Sequence, residues 1–182
     1  MENSVNHALA QFSQRYVAAY QARYQHLPKN DSWHDWPSPC VQEIQDQAVL
    51  WRPVAREHAQ PLSAVEQGME LKLHSDIHAF YASQWSGDLP AQWRDLPLTL
   101  LQVWNEEDEA RLQENLLGHL VMQRRLKHSP SLFIATTEDE MTIITLCNLT
   151  GNIAKETLGS GKKEILSVDL CAFLAELEPR VE

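Results

Sequence analysis

Trp104-Asn105-Glu106-Glu107-Asp108-Glu109 opens the stretch on which the fold turns. It continues through Gln113-Glu114-Asn115-Leu116-Leu117-Gly118-His119-Leu120 to Arg124-Arg125-Leu126-Lys127. Asn105 is a good N-cap, acids fill the first turn and basic residues close the last, so both ends suit a helix dipole. Leu112, Leu116 and Leu120, with Leu117 and Val121, form two adjoining rows four apart, predicting a helix over 105–127 with one apolar face. Downstream the period shortens. Segments 132–136, 142–148, 153–158 and 164–167 read as strands, divided by Glu138-Asp139-Glu140, by Gly151-Asn152 and by Gly159 with Gly161. Segment 168–177 closes the pattern as an amphipathic helix. A helix, an antiparallel meander and a second helix make an α+β arrangement.

Working back toward the N-terminus, Val5, Leu9, Phe12, Tyr16 and Tyr20 step by three or four and predict a helix over 3–24. Gln11, Gln14, Arg15 and Gln21 occupy its polar face, and Pro28 ends it. Trp33, Trp36 and Pro37-Ser38-Pro39-Cys40 then read as a rigid extended connection, because a residue before proline is biased away from helix. Segment 48–52 reads as a short strand closed by Pro53. Helical pieces follow over 63–69 and 75–85, the latter with Ser75 as cap and Ile77, Phe80 and Tyr81 facing inward. Gly87-Asp88-Leu89-Pro90 breaks it, and 98–103 reads as a buried strand. The expectation is one domain over 1–182, a mostly antiparallel sheet flanked by helices.

Composition narrows the function. The chain has 182 residues, with 43% hydrophobic and 22% charged, as in an ordinary globular protein. Fifteen basic residues face 25 acidic ones, a formal charge of −10. That balance argues against nucleic acid, where phosphates need clustered Lys and Arg, and for a cationic partner. Cys40, Cys147 and Cys171 have neither zinc-knuckle nor redox spacing and read as reduced thiols of a cytoplasmic protein. Residues 1–10 lack the pattern of a signal peptide. No apolar run approaches the roughly 20 residues that cross a bilayer, so membrane association is expected only through a partner.

No catalytic constellation emerges. His74-Ser75-Asp76-Ile77-His78 has a ligand-like spacing, but third and fourth ligands are missing, and Asp76 reads as first-turn acid of a helix. His119 reads as packed beside Leu116 and Leu120. There is no Gly-x-Ser-x-Gly elbow, Cys40 has no cationic neighbour, and Gly159-Ser160-Gly161-Lys162 lacks the gap and the following helix of a phosphate loop. Neither cofactor nor metal nor enzymatic activity is expected. What stands out is acid: 106–109 at a helix start, 138–140 in a turn, and Asp76 and Asp88 near the third helix. Brought to one concave face, these would attract a basic segment.

Several of these strings resemble the Syd family, the SecY-interacting proteins. They are Ser38-Pro39-Cys40, Gly87-Asp88, Leu98-Thr99-Leu100-Leu101-Gln102 with Trp104, the 113–120 run, Arg125-Leu126-Lys127, the 132–136 strand, Cys147-Asn148-Leu149-Thr150-Gly151 and Lys155-Glu156-Thr157-Leu158-Gly159. The resemblance implies a protein of the cytoplasm and of the cytoplasmic side of the cell inner membrane, held there peripherally by SecY cytoplasmic loops. It would recognise uncomplexed or misassembled SecY, in quality control or in negative regulation of translocase. At fold level it implies likeness to the SUKH proteins, which leaves neutralisation of a basic toxin as the alternative. It also implies an acidic concave surface. The candidate residues are Asp76, Asp88, Glu106, Glu107, Asp108, Glu138, Asp139 and Glu140, with Trp85, Trp93 and Trp104 as aromatic anchors.

Overall fold

The computed structural model describes residues 4–56 and 62–181, so the predicted helix start at Asn3 lies outside the described residues. Helix α1 (Ser4–Tyr24) buries Val5, Leu9, Phe12 and Tyr16 of the predicted stripe and half-buries Tyr20. It stops before Pro28, where Gln25 turns to φ 62°. After it come β1 (Lys29–Asn30), β2 (Val41–Gln45) and β3 (Ala48–Trp51), a small antiparallel sheet in the order β1-β3-β2. Next is β4 (Val54–Ala55), then α2 (Ser63–Met69) and α3 (Ser75–Ala82). Helix α3 is shorter than predicted, because Gln84–Trp85 forms β5 and pairs with β4. Its cap is His74, whose Nδ1 accepts from the Asp76 amide at 3.1 Å, and Ser75 is already helical.

Gly87-Asp88-Leu89-Pro90, expected to break the helix, lies beyond its end and leads into β6 (Leu89–Trp93), paired with β7 (Leu96–Leu100). Helix α4 (Glu106–Arg125) follows, capped by Asn105 Oδ1, which accepts from the Asp108 amide at 2.9 Å. Leu112, Leu116 and Leu120 are buried, each contributing about 1.5–3 kcal/mol relative to exposure. The meander is β8 (Ser131–Thr137), β9 (Thr142–Cys147), β10 (Ile153–Thr157) and β11 (Lys163–Ser167), then α5 (Leu170–Glu176) and β12 (Glu178–Pro179). The main sheet has seven strands in the order β11-β10-β9-β8-β7-β6-β12, every neighbouring pair antiparallel. The protein is an α+β domain.

That sheet must curl. Seven flat strands place the outermost two about 29 Å apart, at roughly 4.8 Å per step. The chain from Ser167 to Glu178 spans at most about 26 Å, given α5 at 1.5 Å per residue and extended flanks. Register shifts in the β8–β9 and β10–β11 pairs supply bends of the kind that allow it. Helix α1 packs against α3, α5 and β12, while α4 lies against β8 and α2. One continuous apolar core runs from Val5 to Leu177. Among the described residues no helix is long and apolar enough to cross a membrane.

Candidate functional site

The Trp33–Pro39 region has no regular structure of its own, and side chains fix it to the start of α4. Trp104 Nε1 donates to the Trp36 carbonyl at 3.0 Å, and Ser38 Oγ donates to the Trp104 carbonyl at 2.6 Å. Asn105 Nδ2 donates to the Pro37 carbonyl at 2.7 Å, and Trp36 Nε1 donates to Glu107 Oε2 at 3.1 Å. Beneath this layer Trp104 is buried and packs against Trp33 and Trp51, with ring centroids 4.6 and 5.8 Å away. The proline-stiffened segment thus stands as one wall of an open cavity of about 570 Å³. Trp36, Pro37, Pro39 and Trp85 give it apolar surface, and Glu106 and Glu107 give it charge.

The acids here are unequal. Asp108 Oδ2 accepts from the Trp104 amide at 2.9 Å while Oδ1 pairs with Arg111 at 2.7 Å, a variant of the capping box. Glu109 meets Arg56 at 2.7 Å, and the Arg56 guanidinium lies 3.7 Å above the Trp85 ring. Glu107 is held by Trp36, whereas the exposed carboxylate of Glu106 has no partner among the described residues. Asp88 joins the group from the loop before β6: its Oδ1 accepts from the Gln102 amide at 2.9 Å. Dense surroundings push its carboxyl up to about 6, the Gln102 amide opposes this, and the Asp108 charge adds to it. Asp88 is nevertheless exposed, so solvent screens part of this effect. Of these five carboxylates, only Asp108 and Glu109 are paired with a guanidinium, those of Arg111 and Arg56.

The other sequence candidates lie elsewhere. Glu138, Asp139 and Glu140 form the β8–β9 turn, at the opposite end of β7 from α4 and more than about 20 Å along the strand from Trp104. There Glu138 lies 3.8 Å from Arg180, and Asp139 closes the turn by accepting from the Met141 amide and Thr142 Oγ1. Asp76 sits in the first turn of α3, about 9 Å from the C-terminal end of that helix, beyond which Trp85 lies. Its Oδ2 lies 4.0 Å from His74 Nδ1, and on the same helix His78 is 3.3 Å from Glu66. Among the described residues no group of three or more His, Cys, Asp and Glu could hold a metal ion. Of the tryptophans, Trp85 lines the cavity and Trp104 supports it from below. Trp93 is at the far end of β6, bonded to Glu176 at 3.0 Å and stacked on Phe173.

Trp36, Pro37, Pro39, Arg56 and Arg111 were not legible as site residues. The only sequence signal was the pairing of tryptophan with a proline-rich segment, and nothing local says that it docks on a helix some 70 residues away.

Comparison with known proteins gives one consistent answer. The family model described as Syd protein (SUKH-2) matches residues 6–179. A Protein Syd of Aliivibrio fischeri (strain MJ11) is 48% identical over 179 residues, 98% of each chain. A Protein Syd of Pectobacterium atrosepticum is 48% identical over the same length and coverage, and one of Cronobacter sakazakii is 45% identical over 181 residues, 100% of each chain. The chain belongs to the Syd family.

Proposed function

We propose that this Syd-family chain acts without catalysis, as a binding protein for SecY at the cytoplasmic face of the inner membrane. Membership of the family supports the partner, since a SecY-interacting protein is what the family name implies. The observation that carries the mechanism is the cavity between Trp36 and Trp85, rimmed by Glu106 and Glu107. Cytoplasmic loops of membrane proteins carry excess Lys and Arg. A Lys or Arg side chain entering this cavity would find a carboxylate and an aromatic face together, a pairing worth about 0.5–1 kcal/mol for the aromatic part at an exposed site.

Division of labour follows from the geometry. Glu106 and Glu107 at the rim speed the encounter, and the aromatic walls slow escape. Asp88, Asp108 and Glu109 deepen the negative field behind them. Glu138, Asp139, Glu140 and Asp76 stay within the proposal as more distant contributors to steering. A site selective for exposed basic loops suits recognition of SecY whose loops are not covered by other partners. That is the physical content of a quality-control or restraining role.

The test is binding to purified, detergent-solubilised SecY at increasing salt. Affinity should fall steeply with salt, and the double variant Glu106→Gln, Glu107→Gln should weaken binding by about tenfold at low salt, mostly through a slower on-rate. Salt-independent binding that survives this double variant overturns the mechanism.

A further inference from the structure

The first turn of α4 already holds two arginines of the chain's own, and it holds them alike. Arg56 lies 3.7 Å over the Trp85 ring and reaches Glu109 at 2.7 Å. Arg111 lies 5.4 Å over the Trp36 ring and reaches Asp108 at 2.7 Å. Each guanidinium thus meets one indole and one acid of the same helical turn. The Arg56 set is the tighter of the two: its side chain is 9% exposed and also donates to the Tyr81 carbonyl. Arg111 is 64% exposed and more loosely held.

Both arginines stand outside the cavity. Trp36 and Trp85 line it, whereas Arg56 and Arg111 do not, so the guanidiniums back the two rings and leave other ring surface to the cavity. On the cavity side the same ingredients recur without a cation. The exposed carboxylate of Glu106 has no partner among the described residues, and Glu107 accepts from the indole N–H of Trp36. Five carboxylates gather at this helix start, and the chain's own guanidiniums pair with two of them.

Arginine and lysine are not equivalent in such a setting. A guanidinium is flat and weakly hydrated, stacks on an indole, and keeps its in-plane N–H groups free to fork a carboxylate. An ammonium is compact, strongly hydrated and gains less from a ring. We propose that the cavity between Trp36 and Trp85 is selective for arginine over lysine. A docking segment supplies the third guanidinium, laid on an indole and forked by Glu106. The proposal rests on the reading of this cavity as a dock for basic loops and adds which basic residue is read. A loop carrying lysine at that place is still drawn to the acidic face, but leaves it sooner.

Two fluorescent nonapeptides test this, each with three cationic residues spaced by Gly and Ser, all arginine in one and all lysine in the other. Charge and length are therefore matched. Both are titrated into the full chain at low salt and followed by anisotropy. The arginine peptide should bind about fivefold more tightly. That ratio should fall toward one in Trp85→Leu and in Trp36→Leu, and should shrink in Glu106→Gln. The tryptophan variants keep the backbone bonds of their positions, from Trp104 Nε1 to the carbonyl of residue 36 and between residues 85 and 54. Circular dichroism checks folding, and either tryptophan variant suffices if the other misfolds. Equal affinity for the two peptides, no saturable binding of either, or a preference that persists in all three variants overturns the selectivity. Equal affinity would leave the cavity as a dock for any basic loop, so this proposal and the SecY reading fail by different results.

Discussion

Asp88 and Asp108 draw on one short run of backbone: the Gln102 amide donates to Asp88 and the Trp104 amide to Asp108, each at 2.9 Å. Residues two apart in an extended chain point their amides the same way, and so two carboxylates from different elements are held side by side. Their repulsion is built into the fold.

Replacing Asp88 by Asn should therefore stabilise the protein at neutral pH. The folded carboxyl titrates near 6 against an ordinary value of 3.8, so between these values the folded state binds the extra proton. On this group's account stability falls as pH rises from about 4 to 6, and the penalty persists above that window. Asn keeps an acceptor for the Gln102 amide. Thermal melts of Asp88→Asn should lie above those of the unaltered protein at pH 7.5 and coincide with them once pH falls below 3.8. A variant less stable at neutral pH would contradict this account.

Trp36 offers a way to separate the wall from the hydrogen bond. Trp36→Phe keeps an aromatic surface and loses the donor to Glu107, while Trp36→Ala loses both. Because the bond is exposed, Trp36→Phe should weaken SecY binding by less than about 1 kcal/mol, with Trp36→Ala clearly worse. Equal losses in the two would mean that the donor, not the ring, matters.

Glu156 is 3% exposed and gathers groups from four elements around one carboxylate. Ser131 Oγ donates to it at 2.9 Å, Thr145 Oγ1 at 3.3 Å and Gln123 Nε2 at 3.4 Å, and Lys163 Nζ lies at 3.5 Å. Glu156→Ala leaves Ser131 Oγ, Thr145 Oγ1 and the lysine without this acceptor, while Gln123 keeps its 2.7 Å bond to Ser131 Oγ, and should cost about 3 kcal/mol in urea denaturation. Adding Lys163→Met should recover part of the loss. No recovery would show that the ion pair contributes nothing.

Gly151 has φ 78°, and a Cβ there would come within 2.7 Å of His74 Nε2. Gly151→Ala combines left-handed strain, about 1–2 kcal/mol, with displacement of the residue that caps α3. A drop of that size in denaturant stability is expected. A neutral substitution would mean that the loop shifts freely.

Elements set by a single strong period were legible: the buried stripes of α1 and α4 and the strands from β8 to β11. Those that turned on unusual backbone were not. The β2–β3 hairpin closes on Asp46-Gln47, with φ of 48° and 72°, and the β6–β7 hairpin on Arg94-Asp95, with Arg94 at 52°. Neither pair contains the glycine that advertises such a turn. Pro90 also disguises β6, and is tolerated because the chain leaving β12 asks of it only its carbonyl, which accepts from the Arg180 amide at 3.1 Å. The Gly151-Asn152 turn belongs to a longer loop that starts at Asn148. For the site, the acids at the start of α4 were visible because a dipole argument draws attention to them. Their grouping with Asp88, and the separation of 138–140, depend on where β7 begins and ends in space.

The last strand has a bearing on how the molecule is made. Strand β12 completes β6, and α5 draws the two margins of the sheet toward each other. Until Pro179 has left the ribosome, β6 lacks that neighbour and the curl has no clasp. The nascent chain must wait, with most of its sheet assembled, for a dozen late residues to fasten it.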